Sequence, residues 1–244
     1  MARMRIDRLL VERGLFDSRA KAQAAIAAGQ VRVAGAVVTK AAGEVDEGAD
    51  ITATAAHAWV GRGALKLAHA LDLWPIRLAG KTVLDVGAST GGFTEVCLKA
   101  GAARVYAVDV GRGQLHPRIA ADPRVVELSG VDARTLDRNI IPEPPDAIVC
   151  DVSFIGLEKA LPAALDLAAP GAVLITLVKP QFQQLGPKAV GKGGIVRDEA
   201  LRLQAVADVR DFLDAAGWTV KASADSPIAG GDGNLEYLVW AERS

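Results

Sequence analysis

Four ionisable residues stand where apolar or small residues would be expected. Lys179 closes the run LITLVKPQF, after seven apolar or small residues and just before Pro180. Asp151 closes a second apolar run, IVCDVSFI. Glu236 sits in GNLEYLVW, and Lys66 in WVGRGALKLAHAL. A lysine in an apolar setting near another lysine loses its proton more readily and can serve as a base, while a carboxylate beside it orients and tunes it. For Lys66 and Glu236 the residues alone leave a second reading open, a surface helix charge and an exposed strand charge.

The second constellation is VLDVGASTGGFTEVCL at 83–98. An apolar strand runs through Asp85 into Gly87, then through Ser89 and Thr90 to Gly91, Gly92 and Phe93, where a helix starts. Glycines let a ligand approach the backbone, and a helix start offers free amides. The spacing G-x-x-x-G-G departs from the dinucleotide fingerprint G-x-G-x-x-G, which argues against a nicotinamide cofactor. Asp109, at the end of the next strand, can accept from a ribose diol or cap the turn before Gly111. Asp132, in SGVDARTL, can bind an adenine amino group or cap a helix. The loop carries no Lys or Arg to meet a pyrophosphate, and an acid heads it. That chemistry suits S-adenosylmethionine, a nucleoside with a cationic, phosphate-free tail.

The surrounding periodicity supplies elements to hold these groups. From residue 64 onward helices and strands alternate: helix 64–73, strand 81–86, helix 94–100, strands 104–110, 125–128 and 146–151, helix 157–168, strand 172–178, helix 198–216, then strands 218–224 and 235–241. Repeated strand–helix–strand units predict an α/β doubly wound, mostly parallel sheet of Rossmann-like type. The last two strands have no helix between them and predict an antiparallel edge hairpin. Carboxyl ends of neighbouring parallel strands lie close together, so Asp151 and Lys179 should converge beside the glycine loop.

The first 50 residues read differently, as helix, helix, hairpin, strand. Ile6, Leu9 and Leu10 form one helical stripe, ended by Gly14; Asp17 or Ser18 caps a second helix, 19–28, closed by Gly29. Val31, Val33 and Val37 alternate around Ala34-Gly35, a hairpin signal. Arg3, Arg5, Arg8, Arg13, Arg19, Lys21 and Arg32 outnumber the acids of residues 1–35 by four, in a chain whose net charge is −1. Such a local excess suits a polyanion, although a solvated helix face would show it too. The small, glycine-bearing stretch 52–63 then leads into the second domain.

Composition excludes several alternatives. The 244 residues are 50% apolar and 23% charged, enough for a real core and too balanced for a uniformly basic nucleic-acid coat. Cys97 and Cys150 lie in apolar runs and read as buried free thiols, and three scattered histidines argue against a metal site. The apolar stretch 160–178 holds Pro162, Asp166, Pro170 and Gly171, which argues against a membrane span. The start MARMRIDRLL lacks the pattern of a signal peptide, so a cytoplasmic location is expected.

In order, these motifs resemble the TlyA family of ribosomal RNA 2′-O-methyltransferases, some of which carry the label haemolysin. RIDRLLVERGLFDSRAKAQAAIAAGQVRVAG resembles an S4 RNA-binding domain; WVGRGALKLAHAL, LDVGASTGGFT and GKGGIVRD at 191–198 resemble the family's methyltransferase portion. That portion is also similar to FtsJ-like enzymes, whose Lys-Asp-Lys-Glu tetrad falls on Lys66, Asp151, Lys179 and Glu236. The resemblance implies an S4-like domain at 1–58, a linker at 59–63 and a methyltransferase domain at 64–244. It implies S-adenosylmethionine as donor, no metal requirement, and ribosomal RNA or ribosomal subunits as partner, with a cytidine ribose as target. A non-catalytic RNA-binding factor would show degraded site positions, and a membrane-lytic protein would show a spanning segment or cationic amphipathic helix. The sequence carries neither signature.

Overall fold

The computed structural model describes residues 2–16, 18–183, 190–191 and 193–244. Two compact units result, Met1–Arg62 and Gly63–Ser244.

In the first unit, strand β1 (Arg3–Arg5) leads into helix α1 (Ile6–Glu12), followed by α2 (Arg19–Ala27), β2 (Val31–Val33), β3 (Ala36–Val37), β4 (Glu44–Asp46) and β5 (Ile51–Ala53). The Ser18 hydroxyl caps α2, accepting from the Lys21 amide; Asp17, the other expected cap, lies outside the described residues. Gly14 and Gly29 end the two helices with positive φ. The expected stripe forms the core, with Ile6 and Leu10 packed against Phe16, Ala22, Ile26 and Val31. β2 pairs with both β3 and β5, while β1 pairs with β4. β1 and β4 are three residues each, too short and polar to announce themselves by alternation. β5 also reaches two residues into the stretch read as a connection, because Val31 and Ala53 stand opposite each other in the ladder.

The second unit comprises α3 (Ala64–Leu73), β6 (Thr82–Val86), α4 (Gly92–Lys99), β7 (Arg104–Asp109), α5 (Pro117–Ala120), β8 (Val125–Ser129), β9 (Ala147–Cys150), α6 (Leu157–Ala160), α7 (Pro162–Leu167), β10 (Val173–Val178), α8 (Glu199–Ala215), β11 (Trp218–Asp225) and β12 (Tyr237–Arg243). Its seven strands run in the order β11-β12-β10-β9-β6-β7-β8. β6 to β10 are mutually parallel, and β12 is antiparallel to both β10 and β11. The strands are almost continuously apolar because helices cover the sheet; Leu84, Ile148, Leu174, Leu213 and Trp218 are among the core residues.

Three differences from the sequence reading bear on the elements around the site. The single helix expected at 157–168 is two, since Pro162 has no amide hydrogen and opens α7 as its first residue. α4 begins at Gly92 rather than 94, with Gly91 at φ +90° as its cap. β12 begins at Tyr237, so Glu236 is not an edge-strand residue but precedes a strand enclosed between β10 and β11. Among the described residues no helix is long and apolar enough to cross a membrane, and residues 160–178 hold the last residue of α6, then α7, a turn and β10.

Candidate active site

Sheet register assembles the tetrad. Cys150 stands opposite Thr176 and Val86, which brings Asp151 and Lys179 to adjacent positions past the carboxyl ends of β9 and β10. The reversed direction of β12 places Tyr237 opposite Val178, so Glu236 enters beside Lys179 from the other side. Lys66 comes from the buried face of α3. The Lys66 Nζ donates to Glu236 Oε2 at 2.5 Å and lies 3.6 Å from Asp151 Oδ2. The Lys179 Nζ lies 2.6 Å from Asp151 Oδ1 and donates to Ser153 Oγ at 2.8 Å. Lys66, Lys179 and Glu236 are buried, which removes both bland readings based on surface charge. Two ammoniums and two carboxylates balance, as buried charge requires.

Two glycines keep this cluster close to backbone. A Cβ on Gly63 would sit 3.2 Å from Asp151 Oδ2, and one on Gly230 only 2.6 Å from Glu236 Oε1. Asn234 fixes the approach to Glu236: its side chain accepts from the Val196 amide and donates to Gly194 O and Asp232 Oδ2, each at 2.8–2.9 Å. In the similar stretch 191–198, Lys192 lies outside the described residues.

Beside the cluster opens a cavity of about 580 Å³, walled by Gly87, Ser89, Asp109, Asp132, Asp151 and Phe154 among others. That volume falls within the range of ligand sites. Gly87 has φ +86°, and a Cβ there would meet the Asp151 carbonyl at 3.1 Å; at Gly91 it would meet Leu115 at 2.7 Å. Only glycine fits either place. Asp109 is held by the Ser89 and Gly111 amides at 2.8 and 2.7 Å, one on each carboxylate oxygen. Each oxygen keeps a lone pair for a diol. The capping reading of Asp109 thus holds, and the turn that it caps sets it in the cavity wall.

Asp132 does the capping that the sequence left open, accepting from the Arg134 amide, and it also grips the Arg134 guanidinium at 2.5 Å. The Arg134 guanidinium beside it keeps its carboxyl below the ordinary range. Arg134 lines the cavity too, so the wall does hold one cation, but one already paired. Asp85, Thr90, Gly91, Gly92 and Phe93 do not line the cavity. Asp85 is fully buried: Thr94 Oγ1 donates to Oδ2 at 2.6 Å, and Oδ1 has no hydrogen-bond partner among the described residues. Burial pushes its pKa up to about 7, against the Thr94 hydrogen bond, and the charge of Asp151 adds to the rise.

The sequence reading missed Phe154 and Ser153. Phe154 is 90% exposed, with φ +67°, and its ring centroid lies 5.1 Å from that of Phe182. A large exposed ring in a strained backbone position points to function rather than packing. The only signal was adjacency to Asp151 in DVSF.

In the first unit all six candidate arginines are exposed and each is anchored. Arg5 and Arg19 both reach Asp7 Oδ2 at 3.0 Å, and Gln23 donates to it at 2.8 Å. Arg8 pairs with Glu12, and Arg3, Arg13 and Arg32 donate to backbone carbonyls. Lys21 belongs to α2.

A doubly wound sheet with its seventh-strand reversal is the class I methyltransferase fold, shared with a solved structure of a methyltransferase from Listeria monocytogenes at a TM-score of 0.58 and 14% identity. Residues 59–243 match the FtsJ-like methyltransferase family model and residues 4–51 match that of the S4 domain. The chain belongs to the TlyA family. The 16S/23S rRNA (cytidine-2′-O)-methyltransferase TlyA of Mycobacterium tuberculosis is 45% identical over 240 residues, spanning 98% of this chain and 89% of that protein. Hemolysin A of Brachyspira hyodysenteriae is 38% identical, spanning 96% and 98%. A solved structure described as a hemolysin from Streptococcus thermophilus superposes with a TM-score of 0.79 at 35% identity, covering all of this chain and 90% of that one.

Proposed function

We propose that this enzyme methylates the 2′-hydroxyl of a cytidine ribose in ribosomal RNA, with S-adenosylmethionine as donor. The observation that carries this reading is the charge-balanced Lys66–Asp151–Lys179–Glu236 cluster beside a cavity whose polar wall is acidic. When bound, S-adenosylmethionine supplies an electrophilic methyl on a cationic sulfur. Asp109 holds the ribose diol, the backbone at Gly87 and Ser89 provides close approach, and Asp132 and Val110 flank the base.

Lys179 accepts the proton of the 2′-hydroxyl. A neutral Lys179 leaves the tetrad with one net negative charge, which complements a sulfonium. Asp151 orients Lys179 and Glu236 fixes Lys66, so that most of the rate gain is positioning. Phe154 offers a face on which an unstacked base can rest, as RNA-modifying sites require. Arginines of the first unit grip phosphates, which position without specifying sequence. An RNA substrate of this kind places the enzyme in the cytoplasm.

The decisive experiment incubates the protein with labelled S-adenosylmethionine and unmodified small and large ribosomal subunits, then maps the label by nuclease digestion and mass analysis. Label on a cytidine ribose is expected. Label on a base, or none on either subunit, overturns the reading.

A further inference from the structure

Ser153 lies two residues beyond Asp151, exposed, on the wall of the cavity. Its oxygen accepts from Lys179 Nζ at 2.8 Å, while Asp151 Oδ1 lies 2.6 Å from the same nitrogen as an ion pair without the alignment of a hydrogen bond. Among the described residues Lys179 Nζ has no third polar partner within hydrogen-bond reach. A neutral amine has two hydrogens and one lone pair, arranged tetrahedrally about nitrogen. With no acceptor, the amine rotates freely about its Cε–Nζ bond and the lone pair sweeps a cone. With one, a hydrogen is assigned and the lone pair keeps only two directions.

We propose that Ser153 is a positioning residue which, beside the Asp151 carboxylate, holds one hydrogen of the neutral Lys179 amine and thereby turns its lone pair toward the ribose hydroxyl. This rests on Lys179 being the base. The serine hydrogen is not used in the contact with Lys179, because the oxygen is the acceptor there. Proton transfer converts the amine to an ammonium with three hydrogens, for which Ser153 remains an acceptor and Asp151 a counter-charge.

The test uses the full chain, tritium-labelled S-adenosylmethionine and unmodified ribosomal subunits, in single-turnover assays across pH. Ser153→Ala should lower the maximal rate by about tenfold to a hundredfold, the scale of misplaced reacting groups. Cofactor affinity by calorimetry and the subunit concentration at half-maximal rate should stay within about twofold of wild type, the small change left when no shared contact is lost. Loss of an acceptor for the ammonium should also move the rising limb of the pH–rate profile to lower pH. Ser153→Thr keeps the hydroxyl and should restore both rate and midpoint. A Ser153→Ala enzyme with wild-type rate and profile overturns the proposal, as does a loss confined to substrate or cofactor affinity. Lys179→Ala, run alongside, separates the two readings. If it stays active the base assignment fails; if it is dead while Ser153→Ala is normal, only the role of Ser153 fails.

Discussion

Asp151 serves two masters, since one of its oxygens faces Lys179 at 2.6 Å and the other faces Lys66 at 3.6 Å. Such sharing makes the identity of the base testable at a single atom. Lys179→Ala should abolish methyl transfer, by about 10²–10⁴ for a lost general base, while calorimetric cofactor affinity stays near wild type. Lys179→Arg should not restore it, because a guanidinium stays protonated. Near-normal turnover by the Arg variant would move the base role to Asp151 or water. Asp85 gives a second prediction, in stability. Its pKa is about 7 when folded, above its ordinary value of 3.8. Between those values the folded chain keeps a proton that the unfolded chain has released, so this group's contribution to stability falls as pH rises from 4 to 7. Urea melts without cofactor should show Asp85→Asn gaining on wild type between pH 5 and pH 8, by a few kcal/mol at roughly 1.4 kcal/mol per pKa unit. A difference independent of pH would mean that Asp85 is ionised throughout. Lys179 was legible because a charge after seven apolar residues has few bland explanations. Ser153 and Phe154 were not, since neither residue type is unusual after a strand and only the fold shows one touching Lys179 and the other bare.

Element ends decide what the site residues can do. Asp151 and Lys179 follow their strands immediately, and Glu236 precedes β12 by one residue. The alternation of helices and strands foretold the first two placements. It misplaced Glu236 because Leu235 reads as strand but is half-exposed in a turn that Asn234 pins. The first unit has its own pivot in α1. Asp7 is buried, and Arg5 chiefly holds its carboxyl well below the usual carboxylate range, with Gln23 and Arg19 helping. Its contribution to stability is therefore present above the usual carboxylate pKa and lost as acid protonates it. Asp7→Ala should destabilise this unit by about 1–3 kcal/mol, the range for lost charged hydrogen bonds, since the half-exposed guanidiniums left behind regain water. Hydrogen exchange should quicken in α1 and α2 and stay unchanged in β6 to β10. Uniform quickening through both units would refute a local role. That pivot was invisible in the sequence, where Asp7 is one of three acids offset against seven basic residues.

At the scale of the molecule, two compact units divide the labour proposed for them. A chain of residues 63–244 should fold and bind S-adenosylmethionine, yet lose much of its affinity for ribosomal RNA. Its log affinity should also fall less steeply with log salt, by about 0.7–0.9 for each phosphate contact removed. Filter binding over a salt series would decide it, and equal affinity and slope in both chains would leave the first unit without a part in RNA binding. The division was legible from local charge and from the change in periodicity near residue 60; the strand order was not, because nothing in residues 218–243 says that β12 inserts between β11 and β10. That insertion bears on how the chain is made. Lys66 and Glu236 are 170 residues apart, and their bond closes only when β12 docks. Until then β10 presents an unpaired edge of Leu174, Thr176 and Val178 to the surroundings. Closing so distant a contact is slow compared with forming the local helices. A chain emerging from the ribosome thus builds its cofactor loop early and its tetrad last. On the proposed function, the ribosome that synthesises this enzyme is safe from it until β12 has cleared the exit tunnel and taken its place in the sheet.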